Sequence, residues 1–254
     1  MSLPTLNDRA ILRLSPQSEG EDVRGFLQGL ITQDMGLVRP GAPQWSGLLS
    51  PQGKVLFDFF LWADGDDILI DCEAGQADAL KKRLSLYRLR RKVAIERDGT
   101  VSVGWLREGP VENAGIIDHA TDPRLSGLGI RYLIRDADDG DASAAFRAHR
   151  LSHGVAEGAA ELGQDRILWL EANAADLNGV SFTKGCYVGQ ENTARMNWRQ
   201  KVNRRLVVVP LEEADEKRQM IAYPELGLTV EHRRVENIDA ARQPRWLAEA
   251  LAVE

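Results

Sequence analysis

Apolar residues recur along most of the chain at the spacings of short helices and short strands. Val23, Phe26, Leu27, Leu30 and Ile31 stand at i, i+3, i+4, i+7 and i+8, a stripe that predicts a helix, with Gly36 and Pro40 to end it. Ile11 to Leu14 precedes it as a strand. A meander then follows: residues 45–49, the turn Pro51-Gln52-Gly53-Lys54, residues 55–62, the turn Asp64-Gly65, and a strand that places Ile68, Ile70 and Cys72 on one side. Ala77, Leu80, Leu84 and Tyr87 mark a second amphipathic helix, and strands 93–95 and 101–105 flank Asp98-Gly99. Further on, 130–134 alternates as a strand, 142–153 has helical spacing, and 154–168 reads as loop. Gln190 to Trp198 predicts a helix, Leu206 to Val209 a strand, and Trp246 to Leu251 a short helix. The pattern predicts an α+β fold, with a main unit over 1–203 and a small β-rich C-terminal unit over 204–254.

Composition narrows the function classes. The chain has 254 residues, 43% apolar and 28% charged, as in an ordinary globular protein, and no run reaches the ~18 apolar residues of a membrane span. A formal charge of −6 makes a nucleic-acid partner an unlikely expectation. Only Cys72 and Cys186 carry thiols, so a disulfide framework is excluded. With no basic-then-apolar opening to the chain, the expected location is the reducing cytoplasm. Two thiols cannot enclose a four-thiolate zinc or iron–sulfur site, and no metal site is expected.

The densest chemistry lies in Thr183-Lys184-Gly185-Cys186-Tyr187-Val188-Gly189-Gln190-Glu191. A lysine two residues before a thiol favours the thiolate, and the glycines on either side allow a tight turn or a close approach. A helix starting at Gln190 would turn its N-terminal amides towards an anion. From the residue types alone, a buried structural cysteine is as good an account as a reactive one.

The run from Asn178 to Glu191 resembles the signature of the YgfZ family, folate-binding proteins related to the glycine-cleavage T-protein (aminomethyltransferase) and including the mitochondrial Iba-type iron–sulfur assembly factors. The likeness extends to Phe26–Asp34, Leu48–Asp58, Tyr87–Val93 and His153–Gly158, in the family's order. It implies a T-protein-like folate-binding domain followed by a small, partly barrel-like C-terminal domain. It further implies a tetrahydrofolate-dependent role in assembling or repairing iron–sulfur proteins, with reduced folate and iron–sulfur assembly or client proteins as partners. Cys186 falls on the family's cysteine, and Asp34 falls where the T-protein keeps an acid beside folate; Cys186, Asp34 and Lys184 are the expected catalytic residues. Asp34, Tyr187, Gly189, Gln190, Glu191 and Arg195 are the expected folate contacts. The expected picture is a reactive sulfur exposed at the mouth of a pterin-sized cavity that Asp34 also lines. Ala156 stands where proline is usual, Gln200 where glycine often follows arginine, and Ser152 in the place of the T-protein's pterin-contacting glutamate. That last departure favours an assembly factor over a true aminomethyltransferase.

Other residues take structural readings. Cys72 continues an apolar phase and is expected in the core. His149 and His153, four apart, have no third ligand in view. Asp58, within an apolar strand, could face a folate pocket or emerge at a strand edge, and the edge is the expectation. Residues 81–92 hold seven basic side chains, and Arg195, Arg199, Lys201, Arg204 and Arg205 form a second group; both are read as solvated faces. Their functional alternative is attraction for the folate glutamate tail or for RNA, which leaves an accessory role in tRNA modification as a third hypothesis.

Overall fold

The computed structural model describes residues 3–135, 137, 140–199 and 201–253; Gln200 lies outside them. The meander closes into a five-stranded antiparallel sheet of β1 (Arg9–Pro16), β2 (Gln44–Leu49), β3 (Val55–Asp64), β4 (Asp67–Glu73) and β5 (Val93–Arg97), in the order β2-β3-β4-β1-β5. Strand alternation gives each side of this sheet its own core. Leu12, Phe59, Leu61, Ile68, Ile70 and Cys72 pack with α1 (Val23–Gln28) and α2 (Ala77–Arg88). Ile11, Phe60, Trp62 and Leu69 face the rest of the molecule. With both faces covered, β3 and β4 read as nearly unbroken apolar runs. Burial also pushes the Cys72 thiol up to about 12, in keeping with a core residue.

Helix α1 is shorter than its stripe predicts. The Asp22 carboxylate accepts from Gly25 N to start it, but Ile31 bridges to Leu48 and Thr32 N donates to Gly47 O, which draws the chain out of the helix and onto β2. Asp34 then caps a single 3₁₀ turn, Met35–Leu37.

A second sheet joins β6 (Val101–Leu106), β7 (Ile116–Thr121) and β8 (Ile130–Arg135) in the order β6-β8-β7, followed by α3 (Ser143–Ser152) and α4 (Gly158–Leu162). The third sheet, β10-β11-β9, comes from β9 (Arg204–Pro210), β10 (Gln219–Tyr223) and β11 (Leu228–Arg234). It is preceded by α5 (Gln190–Arg199) and followed by α6 (Arg245–Val253). One apolar cluster runs through all three sheets and includes Trp45, Phe60, Leu133, Phe146, Trp169, Leu206 and Val230. No helix among the described residues is long and apolar enough to cross a membrane.

Where the first two sheets meet, the core is ionic. Arg9 Nε lies 2.6 Å from Asp71 Oδ1, and Arg131 from β8 reaches Asp71 Oδ2 at 3.0 Å. Arg124 bonds Asp122 at 2.8 Å and forms an ion pair with Glu157 at 2.7 Å. The Arg131 and Arg124 guanidinium groups stand 4.0 and 4.7 Å from the centre of the Phe60 ring. Burial alone would raise the Glu157 carboxyl; Arg124, Arg9 and Arg131 instead hold it far below the usual carboxylate range.

Asp58 belongs to this interior and does not emerge at an edge. Its carboxylate accepts from Trp45 Nε1 at 3.3 Å and from Gly158 N at 3.2 Å. Burial and the adjacent Glu157 charge push it up to about 6. In an apolar strand a carboxylate was expected to escape to water, but Trp45 and the α4 backbone supply donors inside.

Candidate functional site

Two segments some 150 residues apart in sequence are laced together through main-chain carbonyls. Gln33 Nε2 donates to Asn178 O at 2.8 Å, Thr32 Oγ1 to Gly179 O at 2.7 Å, and Ser181 N to Thr32 O at 3.0 Å. Gly179 is obligatory at this crossing, because a Cβ there would come within 2.6 Å of the Trp45 ring. The lacing ends at Lys184, whose Nζ donates to Ile31 O at 2.6 Å and to Gln33 O at 2.8 Å.

This placement revises the role of Lys184. Its ammonium was expected to favour the Cys186 thiolate; it is half-buried and turned onto two carbonyls, with the Tyr187 ring 5.2 Å away. Burial lowers its pKa to about 8, against the opposing pull of Asp34. Lys184→Met would keep the packing of the stem and leave both carbonyls without this donor. The expected result is a loss of about 2 kcal/mol in urea unfolding, at the cost of roughly 1–3 kcal/mol per unsatisfied buried acceptor. Faster hydrogen exchange confined to residues 178–186 would accompany it.

Asp34 adjoins this clamp. Its Oδ1 accepts from Gly36 N at 2.9 Å and from Gln28 Nε2 at 3.1 Å. Gln28 Nε2 also reaches Lys184 O at 3.3 Å, and Gln28 Oε1 accepts from Met35 N at 2.8 Å. Gln28 therefore links the two segments. In sequence it sits on the polar side of a helical stripe, where nothing separates it from a solvated residue.

Cys186 is exposed, in contrast to Cys72. Gly185 before it has φ +96° and open space around it. Gln190 at the start of α5 holds the turn: its Oε1 accepts from Tyr187 N at 2.8 Å, and its Nε2 lies 3.7 Å from Cys186 Sγ. Tyr187 is half-buried, which pushes its hydroxyl up to about 12. Gly189, at φ +82°, packs on the β2–β3 turn, where a Cβ would stand 2.9 Å from Leu49 Cβ and 3.2 Å from Gly53 Cα. Asn192 Nδ2 adds a bond of 3.1 Å to Gln52 O in that turn. Glu191 and Arg195 pair with each other at 3.1 Å on an exposed face of α5.

The structure thus brings Asp34, Gln28, Lys184 and Tyr187 together, with Cys186 on the same loop. The expected pterin-sized cavity is a different matter. Four concavities can be described: beside Asp58 and Glu73 (about 10 Å³), around Arg9 and Tyr223 (about 240 Å³), and two on the third sheet (about 250 and 530 Å³). None of these is lined by Asp34, Lys184 or Cys186. Trp45 and Trp169, with ring centres 4.7 Å apart, fill the interior beneath the laced segments. Of the remaining candidates, His149 Nε2 and His153 Nδ1 both bond main-chain carbonyls. No group of three His, Cys, Asp or Glu suited to a metal occurs among the described residues.

No protein-family model matches the chain. Curated relatives do. It is 34% identical to the human mitochondrial iron–sulfur cluster assembly factor IBA57 over 236 residues, 80% of this chain and 65% of that protein. The mouse protein gives 33% over 241 residues, 82% of this chain and 65% of the relative. The Neurospora crassa homologue gives 30% over 234 residues, 81% of this chain and 52% of the relative. The chain therefore spans just under two thirds of the mammalian relatives and about half of the fungal one. These relatives are mitochondrial proteins, which overturns the cytoplasmic expectation: two unpaired thiols ask only for a reducing compartment and do not single out the cytosol. Among solved structures, the glycine cleavage system aminomethyltransferase T from Bartonella henselae superposes with a TM-score of 0.64 at 13% identity, covering 92% of this chain and 78% of that one. In sequence the chain is similar to these mitochondrial iron–sulfur cluster assembly factors, and in fold it is similar to the glycine-cleavage T-protein.

Proposed function

We propose that this chain is a factor for the assembly or repair of iron–sulfur proteins, and that it offers Cys186 to a partner as a single thiolate ligand. The exposure of Cys186 on a glycine-flanked loop, with the other thiol sealed in the core, is the observation that carries the reading. The names of the relatives point the same way. One thiolate cannot enclose a cluster, so the role is to share an iron already held by other ligands and release it. Cys186→Ser is expected to leave the unfolding curve unchanged and to abolish rescue of iron–sulfur enzyme activity in cells lacking the protein. Rescue at the wild-type level would sink the proposal.

A reduced folate suits the donor set at Asp34. Both hydrogen bonds described for that carboxylate fall on Oδ1, which leaves Oδ2 to accept a pterin N–H. Bound there, tetrahydrofolate would supply a one-carbon carrier; the chain's own part is to hold and orient it through Asp34, with Gln28 fixing the carboxylate. Calorimetric titration with tetrahydrofolate should give a binding isotherm that Asp34→Ala removes and Cys186→Ala keeps. Aminomethyl transfer is the weaker reading, because Ser152 bonds its own helix at His149 O and offers no carboxylate. The tRNA-modification reading loses two of its basic groups, Arg195 to Glu191 and Arg205 to Asp176.

A further inference from the structure

The third sheet carries a concavity of about 250 Å³ into which Arg166, Arg204, Lys217 and Arg218 all open. They come from the turn after α4, the first residue of β9 and the loop before β10, so their convergence is a product of folding and not of a basic stretch. Arg204 and Arg218 are half-buried and Arg166 and Lys217 exposed; the half-buried Arg13, by contrast, reaches Asp64, Asp67 and Asp98. Among the described residues, none of these four cations has a carboxylate partner. Of the neighbouring acids, Glu171 lies 3.4 Å from His232, which also lines the cavity, Asp176 bonds Arg205 and Glu236 bonds Arg234, while Asp165 and Glu216 are exposed to solvent.

Arg204 sharpens the point. It is paired in the ladder directly with Arg234, so that one carboxylate, Glu236 on Arg234, serves two like charges. It also opens on the adjoining concavity of about 530 Å³, which Lys201, Arg234 and Glu236 line. Met220 gives the cavity an apolar wall, and Gly163, where a Cβ would collide with the Met220 methyl, lets that wall close in.

We propose that this cavity binds a compact anion carrying two or more phosphate groups. Its volume fits a diphosphate better than a drug-sized ligand. Arginine forks match phosphate oxygens in geometry as well as in charge. A long polyanion is disfavoured, because the formal net charge of −6 opposes its approach beyond the cavity. The site is independent of Cys186 and Asp34.

The test is calorimetric titration of the full chain with inorganic pyrophosphate, with orthophosphate and a 20-nucleotide RNA as comparison ligands. Arg204→Gln, Arg218→Gln and the exposed Arg90→Gln serve as variants. Micromolar pyrophosphate binding is expected, weaker at higher salt, and reduced about tenfold by Arg204→Gln or Arg218→Gln, the loss of one charge-assisted contact, but untouched by Arg90→Gln. ADP binding as tightly as pyrophosphate would assign the recognition to the phosphates. Any of three results would overturn the proposal: no binding, equal binding by orthophosphate and pyrophosphate, or RNA binding that exceeds pyrophosphate and competes with it. Because both arginines are at the surface of the cavity, circular dichroism of the variants should match the wild type.

Discussion

Glu157→Gln should cost the protein roughly 3–5 kcal/mol of folding stability, the penalty for removing one partner from a buried ion cluster. At the junction of the first two sheets, Arg9, Arg124 and Arg131 face Asp71, Asp122 and Glu157, three cations against three carboxylates. Arg124 and Arg131 have no exposed side-chain surface, so an uncompensated charge there has no route to water. A neutral glutamine can still accept one hydrogen bond but withdraws the charge that Arg124, Arg9 and Arg131 share. The urea midpoint at pH 7.5 measures the loss directly. A second readout is the pH profile. Asp58, raised to about 6 by burial and by the Glu157 charge, holds its proton more tightly when folded than when unfolded, where it titrates near pH 4. Its contribution to wild-type stability is therefore full below about pH 4 and is lost as pH rises through about 6. Without the Glu157 charge Asp58 titrates lower, and that slope should flatten. A variant as stable as wild type, with the slope intact, would refute this account of the interior.

The second large effect is expected at Gly189. Gly189→Ala places a methyl group against the Ser50 carbonyl and Leu49, on backbone at φ +82° that an L side chain rarely adopts. Neither neighbour is the free end of a flexible side chain, so the β2–β3 turn and the cysteine loop must move apart. A destabilisation of about 2–4 kcal/mol is expected, from backbone strain and lost packing together. It should come with loss of the Asn192 contact to Gln52 and altered alkylation kinetics at Cys186. Gly185→Ala makes the control: its φ of +96° carries the same backbone penalty, but nothing stands within 4 Å of the added methyl. If Gly185→Ala and Gly189→Ala cost the same, close approach to the turn is not what the glycine at 189 provides.

Much of the architecture was legible in the sequence. The five-stranded sheet, α2, α3 and α5 follow from period-two and period-3.6 spacing bounded by Gly and Pro turns. The misses share a cause. Helix α1 stops at Gln28 although its stripe runs on to Ile31, because a tertiary bridge to Leu48 claims the continuing residues. Strand β7 is half-exposed and carries no apolar alternation, and α4 is a five-residue helix between glycines, so local pattern showed neither. Asp58 was misplaced because donors from Trp45 and Gly158, 13 and 100 residues away, are invisible to a local rule. At the candidate site the sequence marked Cys186, the two glycines and Asp34. It could not show that Lys184 donates to the carbonyls of Ile31 and Gln33, nor that Gln28 joins both segments.

That lacing also sets a schedule for the protein's own synthesis. Residues 28–34 leave the ribosome long before residues 178–189 exist, so the carbonyls that receive Lys184 must wait through most of translation, held by β2 and by Gln28. The thiol loop thus matures late, and a nascent chain stalled before Gly179 would hold every strand of the first sheet and neither Lys184 nor Cys186.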